Sequence, residues 1–343
     1  MTQLNFKFYF LNADGQAASF LAKKGELNDK ELILDGDSVP VAAIAEVEVR
    51  NQILVLIVAT GEEPVTLAIR TSRANSLKSH LGILRSTVWA DQHMKALAEQ
   101  GQGHRFRQID CPVCNATLDL TDMATTPQVH CQFCDTISTP ADRTRPDLKS
   151  ENESGHRLCD ECGMYSRPRK FTIFYFYFLF VFYGWSSQPT WRCPACMRGE
   201  AWKMLFGNML FLIGLPVAII QLFRAYGGAD IGGKFKGLDA ANIKARTGKI
   251  DGAISAYRAI MQQNPLAAGV KYNLGLAFAQ QERLDDASKM FEFSLKDCSN
   301  YAPAASMLAH CYDSLGKTDE LAELKRVWAS SDEDEEADTT VSQ

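Results

Sequence analysis

Eight of the ten cysteines fall into four C-x-x-C pairs: Cys111/Cys114, Cys131/Cys134, Cys159/Cys162 and Cys193/Cys196. Each such turn sets two thiolates on one side of a tight knuckle. Two knuckles facing each other close a tetrahedron at about 2.3 Å per sulfur–zinc bond. Sixteen residues separate the first two pairs, which fits the spacing of a structural zinc site. Thirty separate the last two, more than that spacing allows for, but the donors are of the same kind. The pattern therefore predicts two structural Zn²⁺ ions, one on Cys111, Cys114, Cys131 and Cys134 and one on Cys159, Cys162, Cys193 and Cys196. Four protein ligands leave no open coordination position, so such an ion organises the fold and does not catalyse. His130, beside Cys131, is an alternative ligand or a solvent-facing strand residue. Cys298 and Cys311 lie in helical pattern and read as packing residues.

The first residues show no basic stretch leading into an apolar one, so no cleaved secretory leader is expected. Reduced thiols then favour metal over disulfide. No nucleophile elbow, H-E-x-x-H or dinucleotide fingerprint is present, and a redox role for the C-x-x-C pairs would need a thioredoxin-like βαβ setting that the sequence lacks. The stretch from Gly228 to Lys234 nearly matches a phosphate-binding loop, but Phe235 stands where Ser or Thr is required, and it reads as a linker. A net charge of −5 creates no field for nucleic acid. Arg105, Arg107, Arg143 and Arg145 are too sparse to change that. The chain is expected not to be an enzyme, with no small-molecule substrate.

The elements that must position the cysteines differ along the chain. The second set brackets an aromatic insert, 171–185, about 22 Å long as a helix and short of a ~30 Å hydrocarbon core. Crossing a membrane once would separate the two pairs. The insert is a buried strand of the metal ribbon, an element lying in a membrane interface, or a crossing that abolishes the site; the interfacial placement is the reading preferred. Residues 204–223 follow with no charge, one bilayer thickness of helix, flanked by Trp202-Lys203 and Arg224–Tyr226 as interfacial anchors. Gly214-Leu215-Pro216 would kink that helix or break it into a re-entrant pair. Residues 201–226 are thus expected to be a transmembrane or re-entrant helix.

Ahead of the cysteines, Phe6, Phe8 and Phe10 alternate with polar residues as in a half-buried strand. Further strands are expected at 31–34, 44–50, 52–60 and 65–70. Leu77, Leu81, Leu84 and Val88 then share one face of a helix over 73–99. This order of short strands closed by one helix (1–100) weakly resembles a pleckstrin-homology-like domain, which would imply a lipid-headgroup or peptide ligand. The cysteine motifs resemble zinc ribbons at 101–140 and 159–200, with a linker at 141–158.

After the apolar segment, residues 234–330 repeat at a shift of 34: Ala253 and Tyr257 align with Ala287 and Phe291, and Gly248 with Gly316. Leu274-Gly275, Phe278, Ala287, Phe291 and Pro265 resemble the tetratricopeptide repeat. The first unit departs at Lys244 and the third at Leu321 and Lys325. The resemblance implies paired helices whose concave face docks an extended peptide or a partner helix, or packs only on its own chain. Residues 331–343 hold six acids and no base and read as a disordered tail.

Together these readings predict a multidomain α+β chain: an N-terminal β-domain with a closing helix, two zinc ribbons, hydrophobic membrane segments and an α-solenoid. The function expected is a membrane-associated adaptor, ribbons facing the cytoplasm, with the bilayer and a protein at the repeats as partners. The alternative is an intracellular zinc-ribbon regulator of nucleic acid or a protein complex, its apolar segments buried in its own core.

Overall fold

The computed structural model describes residues 4–12, 15–50, 52–59, 64–140, 151–179, 182–209, 214–227 and 233–329. Most of the phosphate-loop-like stretch, the first part of the 141–158 linker and the acidic tail lie outside the described residues. The chain divides into two compact units. One comprises Met1–Thr121 with Cys131–Cys134, the other Asp122–His130 with Asp135–Gln343.

The first unit opens with seven antiparallel strands: β1 (Leu4–Phe10), β2 (Lys23–Leu27), β3 (Glu31–Leu34), β4 (Asp37–Pro40), β5 (Ile44–Arg50), β6 (Ile53–Ala59) and β7 (Pro64–Arg70). Their order in the sheet is β4-β3-β2-β1-β7-β6-β5. The period-2 pattern decides which face is buried: Phe6 and Phe8 in β1 and Leu54, Leu56 and Val58 in β6 all point into the core. Helix α1 (Ala74–Glu99) lays Leu77 and Leu81 on that core. Two of the strands, β2 and β4, are not anticipated by the hydrophobic pattern, because K-K-G-E-L and D-S-V-P carry little of it. The element order on which the pleckstrin-homology resemblance rested is present, but nothing identifies that family or its ligand. Strands β8 (Gln108–Asp110) and β9 (Thr117–Asp119) complete this unit as a hairpin.

In the second unit β10 (Val129–His130), β11 (Ile137–Thr139) and β12 (Glu151–Asn152) form one small sheet, and β13 (Arg157–Leu158) pairs with β14 (Tyr165–Ser166). Residues 151–158, expected as linker, are therefore ordered, and Glu153 is buried among Gln128, Tyr165 and Lys234. The aromatic insert forms a long hairpin of β15 (Arg169–Leu179) and β16 (Phe182–Arg192), registered from Arg169↔Arg192 to Leu179↔Phe182. Aromatic residues favour strands, and a hairpin returns the chain to its starting point. The insert is strand and not a helix, and at its base Phe171 is fully buried against Met197, Ala201 and Met204; the side chains of 176–189, on which the interfacial placement turns, lie outside the described residues.

Among the described residues, 201–226 do not form the single membrane-spanning helix expected. Two helices occupy the region, α2 (Pro194–Asn208) and α3 (Leu215–Tyr226), of 15 and 12 residues. At 1.5 Å per residue they measure about 22 and 18 Å, against a ~30 Å hydrocarbon core. No helix among the described residues is long and apolar enough to cross a membrane. The two helices are separated between Asn208 and Leu215, a stretch of which residues 210–213 lie outside the described residues, and Gly214 is the N-cap of α3 with Pro216 in its first turn. Asn208 is fully buried, and its amide donates to the Phe174 and Met204 carbonyls. A Cβ at Gly214 would lie 2.1 Å from that amide, so only glycine allows the approach.

The residues expected as interfacial anchors tie elements of the chain together instead. Trp202 Nε1 donates to Tyr226 Oη at 3.1 Å, and Arg224 donates to the Lys170 carbonyl. The bilayer as partner and the membrane location with cytoplasmic ribbons rested on the missing span and fall with it.

The remaining helices pair as α4 (Leu238–Arg246) with α5 (Ile250–Gln263), α6 (Ala268–Ala279) with α7 (Leu284–Asp297), and α8 (Ala302–Ser314) with α9 (Thr318–Ala329). The turn inside each pair uses one left-handed residue: Gly248 (φ 77°), Glu282 (φ 59°) and Gly316 (φ 68°). These positions recur at the repeat spacing read from the sequence. Ala253, Tyr257, Phe278, Ala287 and Phe291 are all buried, as the repeat pattern requires.

Candidate metal centres

All eight cysteines assigned from sequence come together in two groups of four, with the sulfur atoms of each group within 4.8 Å of one another. None is in a disulfide. A zinc ion with four sulfurs at about 2.3 Å has tetrahedral edges of about 3.8 Å. The edges fit: Cys111–Cys134 is 3.7 Å and Cys114–Cys131 is 3.6 Å in the first unit, and Cys162–Cys193 is 3.8 Å in the second.

The first centre is made of two knuckles. In one, Asn115 N donates to the Cys111 carbonyl and Cys111 N to the Ala116 carbonyl, both at 2.9 Å. Asn115 (φ 60°) and Asp135 (φ 57°), each directly after the second cysteine of its pair, take left-handed backbone, which Asn and Asp tolerate best among non-glycine residues. The knuckle at Cys159–Cys162 repeats the form: Gly163 (φ 65°) donates to the Cys159 carbonyl at 2.9 Å, and Cys159 N to the Met164 carbonyl at 3.0 Å.

The fourth pair is different. Cys193 is the N-cap of α2 with Pro194 in the first turn, so Cys193 and Cys196 sit at the positive end of a helix, where thiolates are favoured. Cys193 N lies 3.2 Å from Cys159 Sγ, and the Arg246 guanidinium, from the end of α4, donates to Cys196 Sγ. The hairpin strand β16 is fastened to the knuckle where it arrives: Trp191 N donates to Asp160 Oδ2 at 2.7 Å, and Arg192 pairs with Glu161 at 2.8 Å.

The donor chemistry also fits a dication. In the first centre, burial pushes the Cys114 thiol up to about 12, and Cys131 is raised by its hydrogen bond to Cys134 and by burial. In the second, hydrogen bonds from Cys162, Cys193 and Cys196 hold Cys159 down, while Cys193 and Cys196 are pushed up. Four crowded thiols cannot all ionise unaided, and a bound cation is what allows it.

His130 is neither a ligand nor solvent-facing. It is buried with its ring against Tyr301, centroids 5.1 Å apart, and burial lowers its pKa to about 4. Arg246 was not found from sequence. It lies fifty residues beyond Cys196 at the end of the first helix of the first repeat unit, and no local pattern marks it.

No family model matches the chain, and no curated protein matches it. Among solved structures, a crystal structure of MamA is 19% identical with a TM-score of 0.29, covering 40% of this chain and 81% of that one. Another MamA crystal structure, also 19% identical, covers 44% and 80% at a TM-score of 0.29. A mutant of MamA covers 39% and 93% at 18% identity and 0.26. TM-scores this low carry no argument about function.

Proposed function

We propose that this chain is a non-enzymatic scaffold, stapled by two structural zinc ions, that docks a protein partner on its helical repeats. The observation that carries the reading is the pair of Cys₄ clusters, whose sulfur–sulfur contacts of 3.6–3.8 Å suit a four-coordinate zinc that would leave no position for a substrate. Cys111, Cys114, Cys131 and Cys134 would hold one ion, and Cys159, Cys162, Cys193 and Cys196 the other. Bound zinc would supply cross-links inside small elements that bury too little apolar surface to hold alone.

The apolar stretches are used within the chain itself. Phe171, Met204, Ala218 and Ala225 form one buried cluster, which supports a zinc-ribbon protein with an internal apolar core over a membrane adaptor. Stacked helix pairs of this repeat length support a protein, not a nucleic acid, as the partner. The test is native mass spectrometry of the full chain taken from its own cells. Two zinc ions per chain and one stoichiometric protein partner are expected. A chain free of zinc, or one carrying nucleic acid in place of protein, overturns the reading.

A further inference from the structure

The face of the repeat array that α4 and α6 present to β14 is already occupied. Asn242 in α4 and Asn273 in α6 are both buried. Asn273 accepts from Tyr165 N at 2.8 Å through Oδ1 and donates to the Tyr165 carbonyl at 2.6 Å through Nδ2. Asn242 Nδ2 donates to the same carbonyl at 2.9 Å. The Asn242 Oδ1 accepts from Tyr257 Oη and from Asn273 Nδ2, which fixes the orientation of both amides. An amide that takes the N–H and the C=O of one residue reads the backbone of an extended strand, whatever its side chain.

Side-chain selection sits beside this clamp. The Tyr165 ring lies over Gly269, where a Cβ would come within 2.3 Å of it, and its hydroxyl donates to the buried Glu153. Asn300 repeats the clamp on a second segment, accepting from His130 N at 2.9 Å and donating to the His130 carbonyl at 2.8 Å. The array thus treats two stretches of its own chain as bound peptides.

Tyr165 is three residues beyond Cys162, and Met164 closes the knuckle through its bond to Cys159 N. We propose that this α4/α6 face of the array is a peptide groove whose resident occupant is Met164–Ser166, that the second Cys₄ centre holds this occupant in place, and that emptying the centre opens the groove to an extended protein segment bearing an aromatic side chain. The proposal rests on the reading that this centre binds zinc. A tethered occupant acts at an effective concentration on the order of millimolar, so a free peptide at micromolar concentration cannot displace it. Without the ion, the knuckle must be ordered anew each time Tyr165 docks, and occupancy falls.

The probe is a labelled peptide of residues 163–168, Gly-Met-Tyr-Ser-Arg-Pro, titrated by fluorescence anisotropy onto three full chains: the unaltered one, Cys196→Ser and Tyr165→Ala. Zinc content and helical circular dichroism are read on each. The unaltered chain with two zinc ions is expected to bind weakly. Cys196→Ser, with one zinc, and Tyr165→Ala, with two, should each bind at least about tenfold tighter. Adding Asn273→Ala, or replacing the tyrosine of the peptide by alanine, should abolish the gain. Equal binding by all three chains overturns the proposal, as does no binding by either variant while the helical signal is kept. If Cys196→Ser loses its helices, Tyr165→Ala decides whether the groove is a peptide site. A folded, unaltered chain with no zinc at the second centre refutes the metal reading. The Tyr165→Ala result still stands or falls by itself.

Discussion

The two cysteine centres use the same four donors and are held by different backbones. The first joins two left-handed knuckles across sixteen residues, a unit that its own loops nearly complete. The second keeps one knuckle, replaces the other with the start of α2, and reaches its fourth and third sulfurs only after a 24-residue excursion through β15 and β16. A cation from the repeat array then touches it. The first site is a local staple. The second is a junction where a hairpin, a helix start and the array converge, so damage there spreads further.

The strongest way to break that comparison is to remove one thiolate from each. Cys111→Ser and Cys159→Ser should each lower the zinc content from two to one. Structural zinc contributes on the order of 10 kcal/mol to small domains, so each loss is expected to cost several kcal/mol. Thermal unfolding followed by helical circular dichroism separates them. Cys159→Ser should lower the melting of the array, and Cys111→Ser should leave it in place. Equal effects on the array would show that the second centre is no junction.

Next in size is the residue that links the second centre to the array. Tyr165 is among the largest fully buried side chains, and it is hydrogen-bonded at N–H, C=O and Oη. Tyr165→Ala should cost about 3–5 kcal/mol by denaturant unfolding, since it leaves a cavity and takes the hydroxyl from Glu153 Oε2, leaving that carboxylate its bonds to Gln128 and Lys234. An aromatic of like size in the first unit, Phe8, should cost as much on truncation without touching the array. A Tyr165→Ala loss under about 1 kcal/mol would mean that the groove does not depend on its occupant.

Much of this arrangement is legible in the sequence because it is periodic or paired. The C-x-x-C spacing picks out all eight cysteines that the fold gathers into two groups, the alternation at Phe6 and Phe8 gives the first strand, and the 34-residue repeat gives the helix pairs. What fails is non-periodic. Residues 204–223 are uncharged enough to read as a span, and hydropathy takes no account of a buried Asn208 closing on Gly214 or of the proline that restarts the helix. The clamp residues Asn242 and Asn273 bind a residue 77 and 108 positions away. One signal was available: in α6 a lone Asn273 stands among Tyr272, Leu274 and Gly275, and a buried amide in such company requires a partner.

Acid sharpens the comparison on a smaller scale. His156, stacked on Tyr165 and edge-on to Phe235, has its pKa lowered to about 4 by burial, with Arg167 and Lys234 adding to the effect. Its Nδ1 has no hydrogen-bond partner among the described residues. The folded state therefore disfavours the imidazolium. The stabilisation from keeping this histidine neutral is complete above the unfolded pKa of about 6.5 and is lost as pH falls from there toward about 4. Buried Glu153, whose pKa is raised by burial, works in the opposite direction, and thiolate protonation acts on both centres. Comparing His156→Phe with the unaltered chain cancels those terms. The unaltered chain should lose on the order of 2–3 kcal/mol more than the variant across that window in urea midpoints. Parallel profiles would remove His156 from the account.

The smallest effect is the most selective. Arg246 reaches one centre only, donating to Cys196 Sγ from the last turn of α4. Four thiolates and one dication carry a net charge of −2, and a guanidinium beside them lowers the cost of keeping that charge half-buried. Arg246→Gln keeps a donor and removes the charge. Zinc should then pass from the second centre to a chelator roughly 10–100-fold more readily, the range typical of residues that support metal ligands. The first centre serves as the internal reference, and its exchange should not change. The two are told apart by repeating the exchange in Cys111→Ser, where only the second zinc remains. Should the arginine variant release its metal at the unaltered rate, the contact from the array is packing alone. The junction would then consist of the hairpin, the helix start and the tether at Tyr165.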